Sequence, residues 1–155
     1  MSNSFKIGFF GAGKMAEGIL SAVEDKTSVI MAEKVAERAA ELKKKYPVAV
    51  TGDLKEVAEK AKIIFLSVKP QDVAAVAAEA KPILKPTQVL VSIVAGKKLS
   101  GLRRAFGAKV KLVRVMPNLA LRANAGMCAL CGAANAKKAD VAAVEKILGA
   151  AGATV

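Results

Sequence analysis

Lys6-Ile7-Gly8-Phe9-Phe10-Gly11-Ala12-Gly13-Lys14-Met15-Ala16 is the stretch on which the fold turns. Ile7–Phe10 is an unbroken apolar run and reads as a buried strand. It stops at Gly11-x-Gly13-x-x-Ala16, after which a helical pattern runs from Met15 to Val23. A glycine-rich turn between a strand and a helix is the arrangement that holds a dinucleotide diphosphate. Gly11 permits the tight turn. Gly13 lets the backbone approach the phosphates, and Ala16 lets the helix lie close on the strand. The free N–H groups at the helix start then face an anion.

Working outward, strand and helix patterns alternate. Ser28–Ala32 reads as a second strand, and Val35–Lys45 as a helix with Val35, Ala39 and Leu42 as its apolar stripe. Val48–Thr51 is a short strand. Asp53-x-x-Glu56 has the spacing of a capping box opening a helix to Lys60. Lys62–Val68 is apolar and β-branched without alternation, as in a parallel sheet covered on both faces. Pro70 and Asp72 open a helix to about Ala80. Gln88–Ile93 is the next strand, and Ser100 is the expected N-cap of a short helix ending at Phe106. Lys109–Met116 is a strand, 119–125 a loop, Met127–Cys131 a strand, Lys138–Leu148 a helix, and Ala153 begins a last strand. This order predicts an α/β fold, a Rossmann-like doubly wound and mostly parallel sheet, with residues 1–155 as one domain.

Glu33 lies twenty positions after Gly13, where an acid commonly accepts from an adenosine ribose. Lys34, beside it, suits a ribose phosphate instead. Glu33 points towards NAD and Lys34 towards NADP, and a solvated helix start accounts for either residue as well. Other strand ends fall at Ser67–Pro70, Val94–Gly96 and Met116–Asn118. In an open parallel sheet these ends border one crevice.

The net charge is +12, from 25 basic and 13 acidic residues. Such a balance attracts polyanions. Aromatic residues are only 4%, with no Trp, so a base-stacking platform is poorly supplied and nucleic acid is a weak expectation. Most lysines fall on solvated helix faces. No apolar run is long enough for a membrane span, and Met1-Ser2-Asn3-Ser4 has no signal-peptide pattern; a cytoplasmic protein is the expectation. Cys128 and Cys131 form a C-x-x-C, but with no His in the chain only carboxylates remain to complete a zinc site. Three-apart residues of a strand face opposite ways, so both read as reduced core cysteines and no metal is expected.

Four blocks carry a family resemblance: Gly11-Ala12-Gly13-Lys14-Met15-Ala16, Val68-Lys69-Pro70-Gln71, Ser92-Ile93-Val94-Ala95-Gly96 and Arg114-Val115-Met116-Pro117-Asn118. In this order and spacing they resemble pyrroline-5-carboxylate reductases. The resemblance implies reduction of the cyclic imine Δ1-pyrroline-5-carboxylate to L-proline by NADP- or NAD-derived hydride. It implies Gly11, Ala12, Gly13, Lys14 and Met15 at the diphosphate and Glu33 and Lys34 at the adenosine ribose. Ser67, Val68, Lys69, Pro70, Val94, Ala95 and Gly96 fall along the nicotinamide half, and Met116, Pro117 and Asn118 at the edge of the substrate pocket. It assigns no protein side chain the chemical step.

The chain departs from the family in three places. Leu119-Ala120 and Arg122-Ala123-Asn124 stand where the family has Thr-Pro and then Val-Gly. Leu54 stands where an Asn is common. The family's all-helical, dimer-forming domain, with its Ser-Gly-rich helix start, has no counterpart in these 155 residues, which correspond to the cofactor domain. Two other expectations stand beside the reductase: a non-catalytic dinucleotide-binding module, and a related dehydrogenase of another small substrate.

Overall fold

The computed structural model describes residues 4–116, 126–149 and 152–154. The first strand, β1 (Phe5–Phe10), is followed by α1 (Lys14–Ala22), β2 (Val29–Ala32), α2 (Ala36–Lys45) and β3 (Ala49–Thr51). Then come α3 (Leu54–Lys60), β4 (Ala61–Leu66), α4 (Val73–Ala80), β5 (Val89–Ser92), α5 (Leu99–Phe106) and β6 (Lys111–Met116). The chain closes with β7 (Gly126–Gly132), α6 (Lys138–Gly149) and β8 (Gly152–Thr154).

The strands form one sheet in the order β3-β2-β1-β4-β5-β6-β7-β8. The chain winds outward from β1 to β3, then crosses back to lay β4 on the other side of β1. Gly8 pairs with Ile30 on one side and Ile64 on the other, all parallel. This reversal opens a crevice at the carboxyl ends of β1 and β4.

Helices cover both faces, which explains why the strands read as continuous apolar runs. Ile7, Phe9, Met31, Phe65, Val91 and Val113 pack with Ile19 and Leu20 of α1, Leu42 of α2, and Val144 and Leu148 of α6. Phe10, Ile30, Ile64, Leu66, Leu90 and Leu112 pack with Val57 of α3, Val73 and Val76 of α4, and Leu102 and Phe106 of α5. Phe9 and Phe65, paired across β1 and β4, stack with ring centroids 5.1 Å apart. At Gly8 the sheet leaves no room for a side chain: a Cβ there would lie 2.6 Å from Ala61 Cβ of β4 and 2.7 Å from Val57 Cγ1 of α3.

Several local expectations are corrected. β4 ends at Leu66, which leaves Ser67 and Val68 outside the strand. α5 begins one residue before Ser100, with Lys98 at the N-cap and no side-chain cap. Val35 is the N-cap of α2, not part of its stripe, and is 59% exposed; Leu42 alone is buried on that helix. The capping box at α3 is half made. Asp53 accepts from Lys55 N at 3.0 Å, but the Glu56 carboxylate takes Lys60 Nζ at 2.9 Å, and Asp53 N donates to Thr51 Oγ1. Cys131 is exposed, not a core residue; the side chain of Cys128 lies outside the description. β7 runs antiparallel to β6, because the segment 117–125 is shorter than the dozen or so residues a parallel crossover needs. α6 then supplies such a crossover, and β8 lies parallel to β7.

Among the described residues no helix is long and apolar enough to cross a membrane. None of their His, Cys, Asp and Glu side chains form a group of three or more able to hold a metal ion.

Candidate functional site

The turn after β1 is tied to both neighbouring strands. Gly11 N donates to Ala32 O at the end of β2 (3.2 Å). On the β4 side, Ser67 N donates to Phe10 O (2.9 Å), and Ser67 Oγ reaches Gly11 O (2.7 Å) and Phe10 O (3.1 Å). Gly11 has φ +92°, and a Cβ there would sit 2.7 Å from Ser67 O. Both the backbone region and the space exclude a side chain. Gly13 differs: its φ is −74° and a Cβ would meet nothing within 4 Å. The room beside Gly13 is therefore open to a ligand. Glu17 N, bonded to Gly13 O at 3.0 Å, is the first amide of α1 satisfied within the helix. The amides before it have no acceptor in their own helix and present positive ends at this point. Ala16 is fully buried against the core.

Two clefts flank this turn. One, of about 290 Å³, lies between β2 and α4. Gly11, Leu54, Val68 and Val76 give it apolar walls, and Glu33, Lys34, Asp72 and Glu79 its charges. Glu33 Oε1 accepts from Val35 N at 3.3 Å, and Lys34 Nζ reaches Glu79 Oε1 at 3.8 Å. Leu54, at the start of α3, is buried and makes an apolar wall where a polar contact was expected to be missing. The second cleft, of about 220 Å³, is lined by Gly13, Lys14, Met15, Ser67, Val68, Lys69, Val94 and Ala95. Val68 borders both.

The structure thus brings together the segments that follow β1, β4 and β5. Ala12, Pro70 and Gly96 flank this lining without entering it: Ala12 is buried, Pro70 opens a 3₁₀ turn, and Gly96 is exposed with φ +74°. Met116 stands at the carboxyl end of β6, half exposed, with its Sδ accepting from Arg114 Nη2 at 3.4 Å. Pro117 and Asn118 lie outside the described residues.

One group escaped the sequence reading. Glu17 of α1 is buried, its side chain 8% exposed, yet it accepts from Arg38 Nη2 (3.1 Å), Lys45 Nζ (3.2 Å) and Tyr46 Oη (3.3 Å). Burial pushes its carboxyl up, but the hydrogen bonds and charges of Lys45 and Arg38 outweigh that and hold it below the ordinary carboxylate value. Arg38 also donates from Nε to Ala12 O at 3.0 Å, inside the glycine-rich turn. The only sequence signal was an acid on α1 beside apolar Ala16, Ile19 and Leu20, and an acid in a first turn has a bland explanation in the helix dipole.

A doubly wound sheet, a glycine-rich turn at its reversal point and a cleft on each side of that turn define an α/β fold of the dinucleotide-binding class. The chain belongs to the family described as NADP oxidoreductase, coenzyme F420-dependent, whose sequence model matches residues 6–96. It is also similar to pyrroline-5-carboxylate reductases, as its four motif blocks indicate. The enzyme of Pisum sativum is 33% identical over 98% of this chain and 57% of its own length. The solved structure of the Coxiella burnetii reductase matches 99% of this chain and 58% of that one at 26% identity, TM-score 0.92. The Plasmodium falciparum pyrroline carboxylate reductase, solved with NADP bound, matches 100% of this chain and 58% of its own at 27% identity, TM-score 0.86. The chain therefore spans little more than half the length of these relatives.

Proposed function

We propose that this chain is the dinucleotide-binding portion of an NAD(P)H-dependent reductase that converts Δ1-pyrroline-5-carboxylate to L-proline. The observation that carries the reading is the open space beside Gly13, at a helix start whose amides are free. A Cβ at Gly13 would project into this space without meeting a protein atom within 4 Å, so only a bound group would contact it. Gly11, its own N–H given to Ala32 O, makes the turn, and the amides from Ala12 to Met15 hold the diphosphate. Adenosine enters the cleft walled by Leu54, Val68 and Val76, with Glu33 and Lys34 at its ribose. Ser67–Lys69 and Val94–Ala95 lie along the nicotinamide, and Met116 borders the imine. Similarity to reductases over nearly the whole chain supports this assignment.

When bound, the reduced nicotinamide supplies the hydride, so the protein's task is to orient and desolvate, and no side-chain nucleophile is required. Ser67 has a supporting part: its hydroxyl is spent on Gly11 O and Phe10 O, which fixes the turn. A cytoplasmic site of action and a small imino acid as the substrate follow from this reading.

Calorimetric titration with NADPH and NADH tests it. Micromolar binding of at least one is expected, with 1:1 stoichiometry. No heat at high concentration of either would end the proposal. Imine-dependent oxidation of the cofactor, followed in parallel, separates the reductase from a binding module without chemistry. That module is favoured if binding persists and oxidation stays absent when the remaining length of a homologous reductase is joined to this chain.

A further inference from the structure

We propose that Arg38 is a positioning residue that fixes the direction of the Gly13 amide. The inference rests on the dinucleotide reading above. Arg38 lies in the first turns of α2, 26 positions from Ala12 in sequence, yet its Nε donates to Ala12 O at 3.0 Å. Its other two nitrogens are also held, Nη2 by Glu17 at 3.1 Å and Nη1 by Glu41 at 2.9 Å. With all three engaged, the planar guanidinium has one orientation.

The consequence follows from peptide geometry. None of the described peptide bonds is cis. In a trans peptide the carbonyl and the following N–H point in opposite directions. Holding Ala12 O on the α2 side therefore sends the Gly13 N–H away from α2. Arg38 lines a recess between α1 and α2 with Lys14, Glu17, Glu41, Leu42 and Lys45, and enters neither cleft beside the turn. Gly11 and Gly13 line those clefts. The clamp thus aims a donor to the ligand side and keeps a carbonyl lone pair from turning there, where it would repel a diphosphate. A donor fixed before the ligand arrives costs no reorganisation on binding.

Glu17 is what makes the clamp rigid without making it indispensable to the fold. If Arg38 is removed, Lys45 and Tyr46 still satisfy the Glu17 carboxylate. Ala12 O then loses its partner and the Ala12–Gly13 peptide gains freedom.

The test uses Arg38→Met and Arg38→Lys in the 155-residue chain. In the ligand-free protein, the Gly13 amide resonance of Arg38→Met should shift or broaden, while amides at the amino ends of the strands stay in place. NADH and ADP-ribose, which carry the diphosphate, should bind about tenfold more weakly, the scale of one lost hydrogen bond. Adenosine, which lacks it, should bind unchanged. Arg38→Lys keeps the charge but not the fork, and should behave like Arg38→Met. An unmoved Gly13 resonance, equal weakening of all three ligands, or full affinity in Arg38→Lys would overturn the proposal. If the unsubstituted chain binds no nucleotide, the functional reading fails, and the Gly13 resonance still decides the role of Arg38.

Discussion

Gly11 and Gly13 stand two positions apart and have different tasks. At Gly11 the backbone is left-handed and the space is filled by Ser67 O and Val68. Gly11→Ala should therefore cost at least about 2 kcal/mol in stability, from the disfavoured conformation and the clash. At Gly13 the conformation suits any residue and the space is open. Gly13→Ala should change stability by no more than about 1 kcal/mol, the scale of an N-cap substitution, yet abolish measurable dinucleotide binding. Thermal unfolding and calorimetric titration of the two variants separate these outcomes. Binding by Gly13→Ala at unsubstituted strength would mean that the diphosphate does not lie against this residue. The sequence made this pair legible because Gly-x-Gly-x-x-Ala is a local pattern with a strand before it and a helix after it. Nothing local showed that Arg38 reaches Glu17, 21 positions earlier. That pairing depends on how α2 packs across α1, which no short-range periodicity encodes.

Among the elements, α3 and β4 are joined without a linking residue: the helix ends at Lys60 and the strand begins at Ala61. Gln88, buried just before β5, satisfies this junction. Its Nε2 donates to Ala58 O and Ala61 O, both at 2.7 Å, and its Oε1 accepts from Lys85 N at 2.7 Å. Gln88→Leu keeps the bulk but leaves these backbone groups unpaired. It should lower stability by about 3 kcal/mol, seen as a shift in urea midpoint at unchanged slope. A shift under about 0.5 kcal/mol, the scale of ordinary surface substitutions, would show that water replaces the amide. Strand positions were readable from apolar runs, since a sheet covered on both faces leaves no alternation to confuse. The start of α5 was not. Ser100 is a favoured capping residue, but the first helical hydrogen bond runs from Leu102 N to Lys98 O, which places Ser100 inside the helix. Cys131 was read as core from its residue type and its place in a strand without zinc partners. It pairs with Arg114 on β6 and faces solvent.

For the whole molecule, Glu17 links stability to pH. Its carboxyl lies below the ordinary value in the folded state. The folded state is therefore favoured by this group above the unfolded carboxylate range, around pH 4.3. That advantage is lost as pH falls through the folded value. Against Glu17→Gln, the unsubstituted protein should unfold at higher temperature near neutral pH, and the gap should narrow on acidification below the ordinary carboxylate range. A gap that stays constant across this range would mean that the carboxylate charge contributes nothing to the cluster. The fold class was legible as a whole because strand and helix patterns alternate. The antiparallel setting of β7 is not written in the residues of that strand; its one sequence signal is the short connection after β6.

The seamless passage from α3 into β4 has a mechanical consequence. With no slack at Lys60–Ala61, an added residue there has no loop to bulge into. It must either unwind the helix end or push β4 along its neighbours. Because side chains alternate between faces, a slip of one position would turn Phe65 out from beneath α1 and Ile64 away from α3. The junction therefore ties the amino end of β4 to a single register, whereas the clefts open at the other end of that strand, beyond Leu66.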